Sequence, residues 1–148
     1  MKARAVLALV PLFSLGVPTF AADGQAGSAG GHEEAEKQAA AAAKAWLALV
    51  DQGKYAESWD AAAEYLKNAV GKEAFVKSLN AARKPLGELK SRAVKSKEYR
   101  TSLPGAPDGQ YVVIQFKTSL ENKKAAVETV TPMLDKDKKW RVSGYYIR

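Results

Sequence analysis

The hydrophobic period changes once along this chain, at Gly87, and that change limits the folds open to it. Before Gly87 apolar residues recur at the spacing of one helix face; after it they alternate, as on one face of a strand. Helices that precede a block of strands cannot supply the crossovers of a parallel sheet. Strands joined by short links pair antiparallel instead. The expectation is an α+β fold, with three N-terminal helices packed on a four-stranded antiparallel meander.

The first helix is read in EEAEKQAAAAAKAWLALVDQG, with Ala39, Ala42, Ala43, Trp46, Leu47 and Val50 on one face. Glu33, Glu34 and Glu36 suit its positive end, and Gly53 stops it. A second helix runs from Tyr55 to about Asn68 through Tyr55, Trp59, Ala62 and Leu66. The third covers Lys72 to Lys84 and ends at Pro85, because the residue before proline is pushed out of helical geometry.

The strands are expected at Leu89–Arg100, Tyr111–Thr118, Ala125–Leu134 and Trp140–Ile147. Val112, Ile114 and Phe116 form the most apolar face, and Pro132 marks a bulge or an edge. Strict alternation on the last strand sends Trp140, Val142 and Tyr146 to the core and Arg141, Ser143 and Tyr145 outward. On that register Tyr145→Ala destabilises far less than Phe116→Ala.

The beginning of the chain reads as an address. Lys2 and Arg4 precede an apolar run, AVLALVPLFSLGV, and Thr19-Phe20-Ala21 supplies a small-residue cleavage site. The run is broken by Pro11 and Pro18 and is too short to span a bilayer. Residues 1–21 are therefore expected to be a signal peptide, 22–32 a flexible glycine- and alanine-rich leader, and 33–148 one domain, exported to the periplasm or secreted. No stable membrane insertion is expected after cleavage. The formal charge of +7 falls by the two cations Lys2 and Arg4, and nucleic acid is not an expected partner in that compartment.

Composition excludes much chemistry. With no cysteine and one histidine, the chain has no thiol nucleophile, thiolate metal site or imidazole cluster. No metal site and no cofactor are expected. His32 sits in the leader, where a ligand or base lacks a rigid support. Asp51, Glu57, Asp60 and Glu64 could form a metal or acid–base cluster, with Asp60 four from Glu64 and three from Glu57 on one helix face, but lysines are interspersed and the group reads as a solvated surface. Asp60, after Trp59, is the first acid to consider if there is catalysis. Glu128, mid-strand, is expected in an exposed cross-strand pair with Lys117 or Arg141. Most aromatics must be core, and Tyr55, Trp59, Tyr111 and Tyr145 are the candidate lining of a ligand pocket. Lys90, Arg92, Lys95, Lys97 and Arg100 make the first strand basic, as expected of a guarded sheet edge.

Two blocks carry a family resemblance: AWLALVDQGKYAESWD (45–60), and the run from Thr101 to the C-terminus with LPGAPDG, VETVTPM and WRVSGYY. They resemble the bacterial domain-of-unknown-function family 4019, whose members are typically short exported proteins. A fainter similarity is to cystatin-like and nuclear-transport-factor-2-like folds, in which helices fill the concavity of a curved sheet. That likeness implies a fold and no activity.

Three readings follow. The first is an exported, non-enzymatic module that binds a small ligand or an envelope protein. The second is a small isomerase or dehydratase with an acid such as Asp60 in an aromatic cone. The third is a structural envelope protein that dimerises through an exposed apolar sheet face.

Overall fold

The computed structural model describes residues 31–148. The expected signal peptide, and all of the leader but Gly31 and His32, lie outside them. Helices α1 (Glu33–Asp51), α2 (Tyr55–Asp60), α3 (Glu64–Ala69) and α4 (Lys72–Arg83) come first, and a 3-10 turn over Lys84–Leu86 follows. Strands β1 (Leu89–Arg100), β2 (Tyr111–Leu120), β3 (Lys123–Leu134) and β4 (Trp140–Ile147) pair antiparallel in chain order. The architecture is the α+β meander expected from the change of period.

The turn between the halves requires glycine. Gly87 has φ +75°, and a Cβ there would lie 2.7 Å from the Glu121 carboxylate. The close approach is held by Glu121 N–H donating to the Glu88 carbonyl (2.8 Å) and Asn122 N–H to that of Leu86 (2.9 Å). The helix-to-strand junction thereby seats against the β2–β3 reversal.

One expected helix is two. The run from Tyr55 breaks after Asp60, because Ala63 takes extended geometry (ψ 149°) and donates its N–H to the Val142 carbonyl of β4 at 2.8 Å. A tertiary hydrogen bond replaces a helical one, in a stretch of alanines that would otherwise favour continuation. The expected face survives the break. Ala62 and Leu66 are buried, and Tyr55 and Trp59 pack against the same core.

Helix α1 touches all four strands on one side of the sheet. Its buried face of Ala39, Ala43, Trp46, Leu47 and Val50 meets Val112, Ile114 and Phe116 in one core, with Phe75 and Leu79 from α4. Trp46 packs edge-on to Phe75 at 6.5 Å between ring centres and lies 5.2 Å from Tyr145. His32 holds the N-cap position of α1 without a side-chain capping bond, and its ring stacks on Tyr99 of β1 at 3.9 Å between ring centres.

Strand β4 departs from strict alternation. Thr131 pairs with Gly144 but Pro132 with Val142, so Ser143 is an extra residue on β4 opposite the proline. The bulge expected at Pro132 is present. Its consequence is that Val142 and Tyr145, three apart, both face the helices. The outward placement of Tyr145 and Ser143 is thereby corrected: Tyr145 is 4% exposed and belongs to the core, and Ser143 is buried with its hydroxyl on the Thr131 carbonyl (2.7 Å). Tyr146, placed in the core by alternation, is only half-buried and pairs with Thr129.

Candidate functional site

Every strand and both long helices contribute one side chain to a polar cluster on the helix-facing side of the sheet. Asp51 ends α1 and Arg83 ends α4; Arg92, Thr118, Glu128 and Tyr145 come from β1, β2, β3 and β4. Strand alternation accounts for two of them. Thr118 continues the inward series of Val112, Ile114 and Phe116, and Glu128 lies between the buried Ala126 and Val130. Arg83 follows Phe75 and Leu79 at helical spacing, which puts it on the buried stripe of α4.

Glu128 is fully buried and its four acceptor positions are all used. Oε1 accepts from Thr118 Oγ1 (2.7 Å) and Arg92 Nε (2.8 Å); Oε2 accepts from Arg83 Nη1 (3.3 Å) and from the Tyr145 hydroxyl. Asp51 meets Arg92 fork to fork, with Nη1 to Oδ2 at 2.7 Å and Nη2 to Oδ1 at 2.9 Å, and takes Arg83 Nη2 at 2.9 Å. Two guanidinium and two carboxylate groups balance in charge. Within the described residues, Arg83 Nε is the buried side-chain nitrogen or oxygen left without a partner.

Burial works against ionising Asp51, but hydrogen bonds from Arg92 and Arg83 outweigh it and hold its carboxyl below the ordinary value. Burial lowers Arg83 and Arg92 too, yet their anionic partners prevail and raise both. Tyr145 is driven well above 10, first by burial and then by the Glu128 charge, with Arg83 opposing. The sign follows from linkage. A tyrosine whose folded value exceeds its unfolded one contributes stability below pH 10 that is lost as pH rises above it. Urea midpoints are therefore expected to fall above pH 10, and to fall less steeply in Tyr145→Phe; equal slopes would show that this hydroxyl is not the group concerned.

The expectations for these residues need correction. Glu128 is not in an exposed pair: Lys117 sits opposite Val127, and Arg141 pairs with Asp135 (2.9 Å) and Asp137 (2.7 Å). Arg92 does not guard an edge; its side chain turns inward. Asp51 leaves the helical acid group for the cluster.

Asp60 lies on the surface, bound to Lys72 at 2.9 Å, in an open depression of about 480 Å³ shared with Glu64, Lys67, Asp135, Asp137 and Arg141. It is not in an aromatic cone. Neither of the two depressions described among residues 31–148 is lined by Tyr55, Trp59, Tyr111 or Tyr145. Tyr55 is half-buried beside Arg83 and Asp51. Trp59 donates its indole N–H to the Val70 carbonyl (2.9 Å) under Lys67 and Lys72. Tyr111 is buried with its hydroxyl on the Pro107 carbonyl. Tyr145 belongs to the ionic cluster. A second open depression, about 450 Å³, lies at the β1–β3 end between Ser91, Ala93, Lys117 and Lys124. Among the described residues no group of acidic and histidine side chains could hold a metal ion, and no helix is long and apolar enough to cross a membrane.

Comparison with curated proteins and with solved structures returns no match. The family model described as a protein of unknown function (DUF4019) matches residues 42–145. Those residues hold all six members of the buried cluster, and the chain belongs to the DUF4019 family.

Proposed function

We propose that the protein is an exported, non-enzymatic module that binds a small ligand or an envelope protein at its surface. The observation that carries this reading is the saturated carboxylate of Glu128. An isomerase-like site needs a buried acid beside a tyrosine with room for a substrate. Glu128 and Tyr145 supply the pair, but two arginines and Thr118 occupy every remaining lone pair. The neighbouring interior is filled by Trp46, Phe75 and Phe116.

Dimerisation through an apolar sheet face has less support. The uncovered face runs Ser96, Gln115, Thr129, Tyr146 across the four strands, which is a polar row. Native mass spectrometry of protein purified from its own host tests the module reading and the export together. The expected species begins at Ala22 and retains a ligand or a partner chain. A bare monomer still carrying residues 1–21 would overturn both.

A further inference from the structure

We infer that the free edge of β1 accepts a short, extended, acidic segment of a partner protein as a fifth strand. The two edges of the sheet differ. On β4 the α2–α3 link has already closed on the strand, with Ala63 N–H on the Val142 carbonyl. On β1 nothing among the described residues pairs with the outer ladder of Leu89–Arg100, whose N–H and C=O groups form a template for another chain.

Charge states which chain. Lys95 and Lys97 are exposed and make no ion pair among the described residues, while the flanking Lys90 and Arg100 are paired with Glu88 and Glu98. A second copy laid antiparallel and centred on Ser96 would set Lys95 against Lys97, which is unfavourable. An acidic strand reverses that sign. The register shift between Val94 and Ser96 twists the edge and suits a short segment over a long flat one.

The helix-facing side supplies an apolar contact. Helix α1 is tied to β1 at both ends, by the His32–Tyr99 stack and by the Asp51–Arg92 pair. Between these ties Val94 shares the side of its partner Phe116 yet remains 42% exposed, the large apolar side chain left open among the described residues. A fifth strand would bring alternate side chains beside Val94 and, past the register shift, beside Lys97, which lies on the same side opposite Ile114, so the segment should carry both apolar and acidic residues.

This inference rests on the module reading, and its test is separate. The probes are a blocked decapeptide alternating Glu and Val and its Lys-Val counterpart, each added to the purified protein at low salt. The Glu-Val peptide should bind saturably and slow hydrogen exchange in β1, leaving β4 unchanged. Lys95→Glu/Lys97→Glu, an exposed pair whose folding is checked by circular dichroism, should weaken it about tenfold or more and admit the Lys-Val peptide. Four results would overturn the proposal: no saturable binding, equal binding of both peptides, protection on β4, or protection of β1 by phosphatidylglycerol vesicles but not by peptide. A partner found by native mass spectrometry would leave the module reading standing even then.

Discussion

Glu128→Ala is expected to destabilise the protein by about 3–5 kcal/mol. The substitution removes one of the larger fully buried side chains, so a cavity adds to the effect. The rest of the cost comes from what stays behind. Arg83, 4% exposed, and the largely buried Arg92 would keep Asp51 as their only anionic partner in the cluster. Neither arginine can shed its charge by losing a proton. Thr118 and Tyr145 would be left with donors facing nothing. Against a typical domain stability of about 5–15 kcal/mol this is a large fraction, and it corresponds to a fall in melting temperature on the order of 15 °C. Glu128→Gln should lie between, since it keeps one acceptor oxygen and loses the charge. Urea denaturation of the three proteins checks the series. An alanine variant within about 1 kcal/mol of wild type would mean the carboxylate does not hold the cluster together. Asp51→Asn should cost less than Glu128→Ala, because water reaches its partly exposed carboxylate and can take over some of the solvation.

The parts of this fold legible in the sequence are those set by local period. The strand-facing series Val112, Ile114, Phe116 and the stripe of α1 are buried where alternation and helical spacing put them. The members of the cluster follow the same periods: Thr118 extends the β2 series, Glu128 sits between Ala126 and Val130, and Arg83 extends the stripe of Phe75 and Leu79. What was not legible was the pairing. An isolated charge on a buried face is so unfavourable that each, taken singly, reads as exposed. The cluster is tolerable only because two cations and two anions from four distant stretches arrive together, and no short-range signal records that. The break after Asp60 is similar. Ala61, Ala62 and Ala63 favour helix, and a single long-range hydrogen bond to β4 decides against it.

Tyr145→Ala and Phe116→Ala are expected to cost about the same, roughly 3–5 kcal/mol each, where strict alternation on β4 puts the tyrosine far below the phenylalanine. Phe116 is 1% exposed at the centre of the core, and its removal leaves a cavity beneath α1 that packed neighbours can only partly fill. Tyr145 reaches the same core from the bulged side of β4, with its ring 5.2 Å from that of Trp46. Its truncation opens a comparable cavity and removes both a donor to Glu128 and an acceptor for Arg83. The two contributions separate with Tyr145→Phe, which keeps the ring and deletes the hydroxyl. That variant should lose about 1.5–3 kcal/mol, the usual range for a hydrogen bond to a charged group. Phe116 and Tyr145 approach Trp46 from different strands, so the double alanine variant should fall below the sum of the singles in stability only if the two cavities merge. The outcome rests on one extra residue. Ser143, inserted opposite Pro132, advances the alternation of β4 by one position and turns Tyr145 from the polar face to the core. A Tyr145→Ala variant as stable as wild type, beside a strongly destabilised Phe116→Ala, would restore strict alternation and remove Tyr145 from the cluster. Matched losses would establish that the bulge at Ser143 sets which face of β4 the helices meet.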